Sequence, residues 1–262
     1  MAVARPVVLV GCGRLGSALV EGWLQFGPVT AADLIVLTRS DTPGAQAARA
    51  AGARVNPDVG TLEAAGAVVL AVKPGGWRTA VAPLAGRLAD DAVLVSLMAG
   101  VHAVDLAEAL ERPVARVMPT TGVARGEGVA ATWAATHAGR VMGHTLFARV
   151  AQVVDLDDEA LMDAATATAG SAPAFILTLV QALARAGTAH GLSEAAATAL
   201  ARGALRSAAA GVAGEETLEQ LIDRVASPGG TTRAGLDASA AHMDAAAQAA
   251  IGAAIRRAGE LG

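Results

Sequence analysis

Apolar residues in the first part of the chain fall in short unbroken runs: Pro6 to Val10, Leu34 to Thr38, Ala67 to Val72, Ala92 to Leu97 and Val114 to Met118. Each run is rich in β-branched residues and is bounded by glycine, proline or polar positions. That is the pattern of strands buried on both faces, as in a parallel sheet. Between the runs the apolar positions take helical spacing, over Ser17 to Phe26, Thr42 to Ala51 and Val104 to Leu110. Arg54 and Val55 read as a brief strand, and Gly128 to Trp133 and Ala151 to Leu156 add later ones. Strand and helix alternate, which predicts a doubly wound α/β sheet.

From Asp157 onward the period changes. Helical spacing runs through Asp157 to Thr168, Ala172 to His190, Ser193 to Gly211, Glu215 to Ala226, Thr231 to Ala238 and Ala241 to Gly259. Ser193 supplies an N-cap hydroxyl without Glu or Gln three residues later, so the capping box is incomplete. The expected division is therefore an α/β domain over residues 1–156 and an all-α helical bundle over 157–262. The helices between Ala172 and Val212 are apolar or alanine-lined on several faces and need cover. A bundle shared by two subunits meets that need, and a compact monomeric bundle shows the same pattern.

Composition narrows the function classes. The net charge of −4 is scattered, which leaves no basic footprint for nucleic acid or an anionic membrane. The 53% hydrophobic content is inflated by alanine, and no run is expected to reach the ~18 apolar residues of a membrane span. Candidates such as Ala195 to Val212 are broken by Arg202 and Arg206. No secretory pattern is legible at the start, so a cytoplasmic location is expected. Cys12 is the only cysteine and the five histidines have no metal-ligand spacing, so no metal site is expected. The chain has no tyrosine, which removes every mechanism with a phenol as proton donor.

Two stretches carry candidate chemistry. Gly11-Cys12-Gly13-Arg14-Leu15-Gly16 follows a strand and opens a helix, the setting of a dinucleotide-binding turn in a Rossmann-type fold. Gly11 suits the tight turn, Gly13 the approach of a pyrophosphate and Gly16 close packing, with Cys12 as a small spacer. At the end of the second strand, Thr38-Arg39-Ser40 offers a guanidinium and two hydroxyls, which match the 2′-phosphate of NADPH better than a bare ribose. A shift of the strand end by two residues would bring Asp41 to the ribose instead. Val72-Lys73-Pro74 closes another strand, and Lys73 is expected at its carboxyl end, where ligands bind. The second stretch, Val225 to Leu236 (VASPGGTTRAGL), joins three hydroxyls and two glycines to a helix start, an arrangement suited to a carboxylate or phosphate.

Taken in order, the motifs resemble the pyrroline-5-carboxylate reductases over essentially the whole chain. GCGRLG, AVVLAV with Lys73-Pro74, SLMAGV at Ser96 to Val101, RVMP at Arg116 to Pro119, GSAPAF at Gly170 to Phe175, ALARAGTAHGLS at Ala182 to Ser193 and VASPGGTTRAGL carry the resemblance. It implies NADPH-dependent reduction of a cyclic imine to L-proline, and dimers that interleave their helical domains. By the same resemblance Ser227, Gly230 and Thr231 hold the substrate carboxylate, Thr232 hydrogen-bonds the ring nitrogen, and Lys73 orients the ring. Glu215, expected in the first turn of a helix, is an electrostatic candidate. The chain departs from the family where Thr120-Thr121-Gly122 replaces Asn-Thr-Pro, where GSAPAF replaces GSGPAY, and where Arg14 replaces a common asparagine. Two other readings remain open here: a related reductase of another cyclic imine or keto acid, and an NADP-binding regulatory protein without turnover.

Overall fold

The computed structural model describes residues 6–58, 62, 65–212 and 214–261. The chain divides into two compact units, residues 1–170 with 254–262, and residues 171–253.

The first unit is a Rossmann-type sheet. Its strands are β1 (Val7–Val10), β2 (Leu34–Leu37), β3 (Arg54–Val55), β4 (Ala67–Leu70), β5 (Val93–Ser96), β6 (Val114–Pro119), β7 (Gly128–Ala134) and β8 (Ala151–Asp155). They lie in the order β3-β2-β1-β4-β5-β6-β7-β8. The pairs from β3 to β6 are parallel; Leu9, for example, stands beside Val36 on one side and Val69 on the other. Alternate residues feed two apolar layers. Leu9, Val36 and Val69 pack with α1 (Arg14–Phe26), α2 (Pro43–Ala50) and α5 (His137–Phe147), whose Trp23, Ala45 and Phe147 are buried. Val8, Ile35 and Val68 pack with α3 (Trp77–Val81) and α4 (Ala103–Leu110) through Trp77 and Leu106. The sheet order reverses at β1, between β2 and β4, which opens a ligand crevice beyond the strand ends.

Several expected boundaries move. The apolar run of Ala67 to Val72 yields a strand only to Leu70, because its neighbour β1 ends at Val10 and Gly11 turns away with φ +94°. Lys73 therefore stands three residues past the strand, ahead of a 3₁₀ turn at Pro74–Gly76. β7 runs antiparallel to β6, since the link through Thr121–Arg125 and Gly126 is too short for a crossover. Helix α5, which the apolar pattern does not announce, starts at a cap in which the Thr136 hydroxyl accepts from Gly139 N–H. The expected helix from Asp157 to Thr168 is instead a 3₁₀ turn at Glu159–Leu161, α6 (Met162–Ala165) and a π turn at Thr166–Ser171. Pro173, lacking an N–H, follows directly in the next helix and cannot bond four residues back.

The second unit is helical: α7 (Ala172–Ala189), α8 (Glu194–Gly211), α9 (Leu218–Val225) and α10 (Thr231–Gly259), of which the last turns belong to the first unit. α7 and α8 form a hairpin through Gly191, φ +98°, with the Ser193 hydroxyl accepting from Ala196 N–H. α10 is one helix rather than the two expected, for Ser239 turns its hydroxyl back onto Gly235 O at 2.8 Å and leaves the backbone helical. Large apolar side chains stand exposed along the unit, among them Leu177 at 59% and Leu200 at 62%. Among the described residues one helical run, Glu159–Ala189, is long and apolar enough to cross a membrane by length and composition only, with a mean hydropathy of 1.4. The π turn and the one-turn helix before it join into α7 without a break, so the run is longer than its separate motifs suggest.

Candidate active site

The glycine turn after β1 is built as its spacing implies. A Cβ on Gly11 would lie 2.7 Å from Ala71 O, and one on Gly16 would collide with Gly11 O, so neither position has room for a side chain. Gly13, by contrast, has nothing within 4 Å of where its Cβ would be. It is the N-cap of α1, and with no acid in the first turn the N–H groups of residues 14–16 present positive partial charge. The Cys12 side chain is buried in the apolar layer, and Ser17 Oγ donates to its carbonyl at 3.3 Å. Arg14 is exposed and Leu15 half-buried.

At the end of β2 the strand stops at Leu37, one residue short of expectation, and Thr38 is held by a side chain instead of a ladder. Thr38 N–H donates to Asn56 Oδ1 at 2.8 Å, and Asn56 Nδ2 donates to Thr38 O at 2.9 Å. Thr38 Oγ1 donates to Ser40 O at 3.1 Å, closing a small loop around Arg39. Arg39 is exposed. Asp41 is already engaged: Gln46 Nε2 donates to it at 2.9 Å and Arg49 Nη1 at 3.2 Å. The Gln46 hydrogen bond, then the Arg49 contact, hold its carboxyl below the usual value. No local sequence pattern points to Asn56, because its role depends on a neighbour 18 residues away.

Near the same sheet end, Val72 packs against Gly11, its Cγ1 2.9 Å from where a Gly11 Cβ would lie, while Lys73 is exposed and precedes Pro74. A cavity of about 450 Å³ is lined by Arg14, Ser17, Glu21, Thr121, Gly122 and Arg125 among others. Thr120 is buried, and its Oγ1 accepts from Val129 N–H at 3.2 Å. Its own hydroxyl proton remains to be donated. Gly122 cannot be replaced without rebuilding the turn, since a Cβ there would lie 2.7 Å from Glu127 O.

In the second unit the Ser-Pro-Gly-Gly-Thr-Thr loop enters α10. Gly229 has φ +73°, Gly230 N–H donates to Ser227 O at 3.0 Å, and Gly230 O accepts from Ala234 N–H at 3.2 Å. Gly230 thus takes the cap position, and the N–H groups of Thr231, Thr232 and Arg233 have no acceptor within the helix. Ser227, Thr231 and Thr232 are exposed. Arg233, unassigned from sequence, clasps the loop: its Nη2 donates to Asp223 Oδ1 at 2.8 Å and to Ala226 O at 3.3 Å. Glu215 does not stand in a helix first turn. α9 begins at Leu218, where Thr217 and Gln220 form a full capping box that displaces the helix start past Glu215. Glu216, its neighbour, pairs with Arg224.

This geometry meets known proteins at two levels. Residues 6–100 match a family model described as NADP oxidoreductase, coenzyme F420-dependent, and residues 159–261 match one described as pyrroline-5-carboxylate reductase dimerisation. A pyrroline-5-carboxylate reductase of Pseudomonas aeruginosa is 33% identical over 97% of this chain and 96% of its own length. The chain belongs to the pyrroline-5-carboxylate reductase family. A reductase of the same name from Thermus thermophilus is 34% identical over 98% of both chains. The Plasmodium falciparum pyrroline carboxylate reductase, solved with NADP bound, has the same fold: TM-score 0.83 over all of both chains at 22% identity.

Proposed function

We propose that this protein reduces Δ1-pyrroline-5-carboxylate to L-proline with NADPH. The observation that carries the reading is the presence, in one chain of this family, of a glycine turn open at Gly13 and of a capped loop entering α10 whose N–H groups at residues 231–233 have no acceptor within the helix. NADPH, when bound, supplies the hydride. The glycine turn fits the cofactor: Gly11 and Gly16 close it, Gly13 admits a pyrophosphate, and residues 14–16 direct N–H groups at it. Arg14 adds a guanidinium at the same helix start. Val72, Lys73 and Pro74 border the turn. Arg39, with the hydroxyls of Thr38 and Ser40, pairs with the 2′-phosphate, and Asp41 is withheld by Gln46 and Arg49. That arrangement favours NADPH over NADH.

The residues of the second unit bind the substrate. Ser227 and the backbone of Gly230 and Thr231 hold its carboxylate, with Thr231 N–H free to donate to it, and the Thr232 hydroxyl hydrogen-bonds the ring nitrogen. Lys73 and, more weakly, Glu215 are electrostatic candidates for the reaction. A cyclic imine reaches the site protonated, and hydride addition then leaves a neutral amine, so no side chain has to deliver a proton in the same step. Positioning is the main task of the site. By role, residues 1–156 serve the cofactor and 157–262 the substrate and dimerisation, whereas the compact units divide at residue 170 with 254–262 in the first. The exposed apolar faces of α7 and α8 are covered by a second copy of the chain, in a cytoplasmic homodimer.

The test is direct. Purified protein supplied with pyrroline-5-carboxylate oxidises NADPH and accumulates proline in equal amounts. A folded sample that binds NADPH and oxidises none contradicts the proposal.

A further inference from the structure

The turn that carries Arg39 has an unusual support. β3 is only two residues long, and its last ladder pair is Val55 with Val36. Past that point the backbone of the edge strand leaves the sheet: Asn56 N–H still donates to Val36 O at 2.8 Å, but Asn56 itself has φ 50°, in the left-handed region. Asparagine is among the few residues other than glycine that enter this region readily. Its side-chain amide then supplies the rung that the strand no longer can. Oδ1 accepts from Thr38 N–H and Nδ2 donates to Thr38 O, at 2.8 and 2.9 Å, so one primary amide satisfies both backbone groups of Thr38. Aspartate at this position lacks the donor, and serine lacks one of the two groups and the reach. On the far side, Thr38 Oγ1 donates to Ser40 O and Ser40 N–H donates to Thr38 Oγ1, at 3.1 and 3.4 Å. Arg39 stands exposed at the tip of a turn fixed at both ends.

We infer that Asn56 is a positioning residue for cofactor choice: it holds Thr38 so that Arg39 meets the 2′-phosphate of NADPH from a prearranged backbone, without touching the cofactor itself. The inference rests on the proposed pairing of Arg39 with that phosphate. An arginine on a loose turn has to lose backbone freedom when it pairs, and that loss weakens binding. A turn ordered beforehand avoids it. The benefit falls on NADPH alone, since NADH carries no phosphate for Arg39 to hold.

Asn56→Gly and Asn56→Asp test this on the full-length protein. Glycine keeps the left-handed backbone and removes the amide; aspartate keeps an acceptor for Thr38 N–H and sets a second one against Thr38 O. Dissociation constants of NADPH and NADH are measured by titration calorimetry, with thermal midpoints alongside. Loss of two exposed hydrogen bonds should weaken NADPH by roughly 5- to 10-fold, leave NADH within about twofold of the parent, and give kcat at saturating NADPH near the parent value. In an Arg39→Ala background the Asn56→Gly change should have no further effect on NADPH. Equal weakening of both cofactors, or an Asn56 effect that persists without Arg39, overturns the inference while leaving Arg39 as the phosphate ligand. An Arg39→Ala variant with an unchanged NADPH-to-NADH ratio overturns the underlying pairing and the inference with it.

Discussion

Arg116 on β6 is 2% exposed and donates from Nη1 to Glu159 Oε1 at 3.0 Å, while its Nε and Nη2 have no partner among the described residues. The same Glu159 oxygen accepts from Ala103 N–H at 2.7 Å, where α4 begins. One carboxylate therefore neutralises a buried cation and satisfies a helix start.

Removing that carboxylate leaves a buried charge unpaired. Glu159→Ala should lower unfolding stability by roughly 3 kcal/mol, more than a surface substitution costs. Arg116→Met combined with Glu159→Gln should recover most of the loss. Urea unfolding at fixed protein concentration measures both, and a Glu159→Ala loss below ~1 kcal/mol would show the pair to be unimportant.

Gly11 and Gly13 should fail differently. A methyl at Gly11 meets Ala71 O and a positive φ, so Gly11→Ala lowers the thermal midpoint. Gly13 has open space around it, so Gly13→Ala leaves the midpoint unchanged and raises the NADPH dissociation constant at least about tenfold. Paired melting and titration data decide this; an unchanged NADPH affinity in Gly13→Ala would remove the glycine turn from the cofactor site.

How much of this was legible beforehand depended on range. The strands announced themselves because a parallel sheet buried on both faces needs continuous apolar runs, as in Val7 to Val10. Their ends were less legible: Val72 is apolar because it packs on Gly11, not because it belongs to a ladder. Thr217 and Gln220 carry a capping-box spacing, and that spacing places Glu215 outside α9. Arg116 with Glu159 and Thr38 with Asn56 pair across 43 and 18 residues, and no local pattern announces such partners. Within the candidate site, the glycine turn was clear from spacing alone. The Arg233 clasp was not, since an arginine in a helix first turn reads as solvated until Asp223 and Ala226 O are seen beside it.

Asp41 gives a pH prediction. Its carboxyl titrates below the ordinary value because Gln46, then Arg49, favour the charged form. A depressed carboxyl stabilises the fold above its unfolded pKa, and that contribution is lost as pH falls through the folded value. Carbon-detected NMR should find Asp41 titrating below the ordinary aspartate value, and Gln46→Ala should move it upward. No movement would mean that Asp41 is not held on α2.

Thr232→Ala should lower kcat by roughly 10- to 100-fold while the NADPH dissociation constant stays within about twofold, as expected for a group that orients substrate and leaves cofactor untouched. Steady-state rates beside cofactor titration separate the two. An equal loss in both contradicts the assigned role.

The central claim is a reductase that takes a five-membered imine acid, and ring size tests it most directly. With one preparation and saturating NADPH, kcat/KM is measured for Δ1-pyrroline-5-carboxylate and for the six-membered cyclic imine acid that differs by one methylene. A site shaped for the smaller ring should prefer it by about 10-fold or more, the discrimination one methylene commonly allows. Equal rates, or preference for the six-membered ring, would contradict the account.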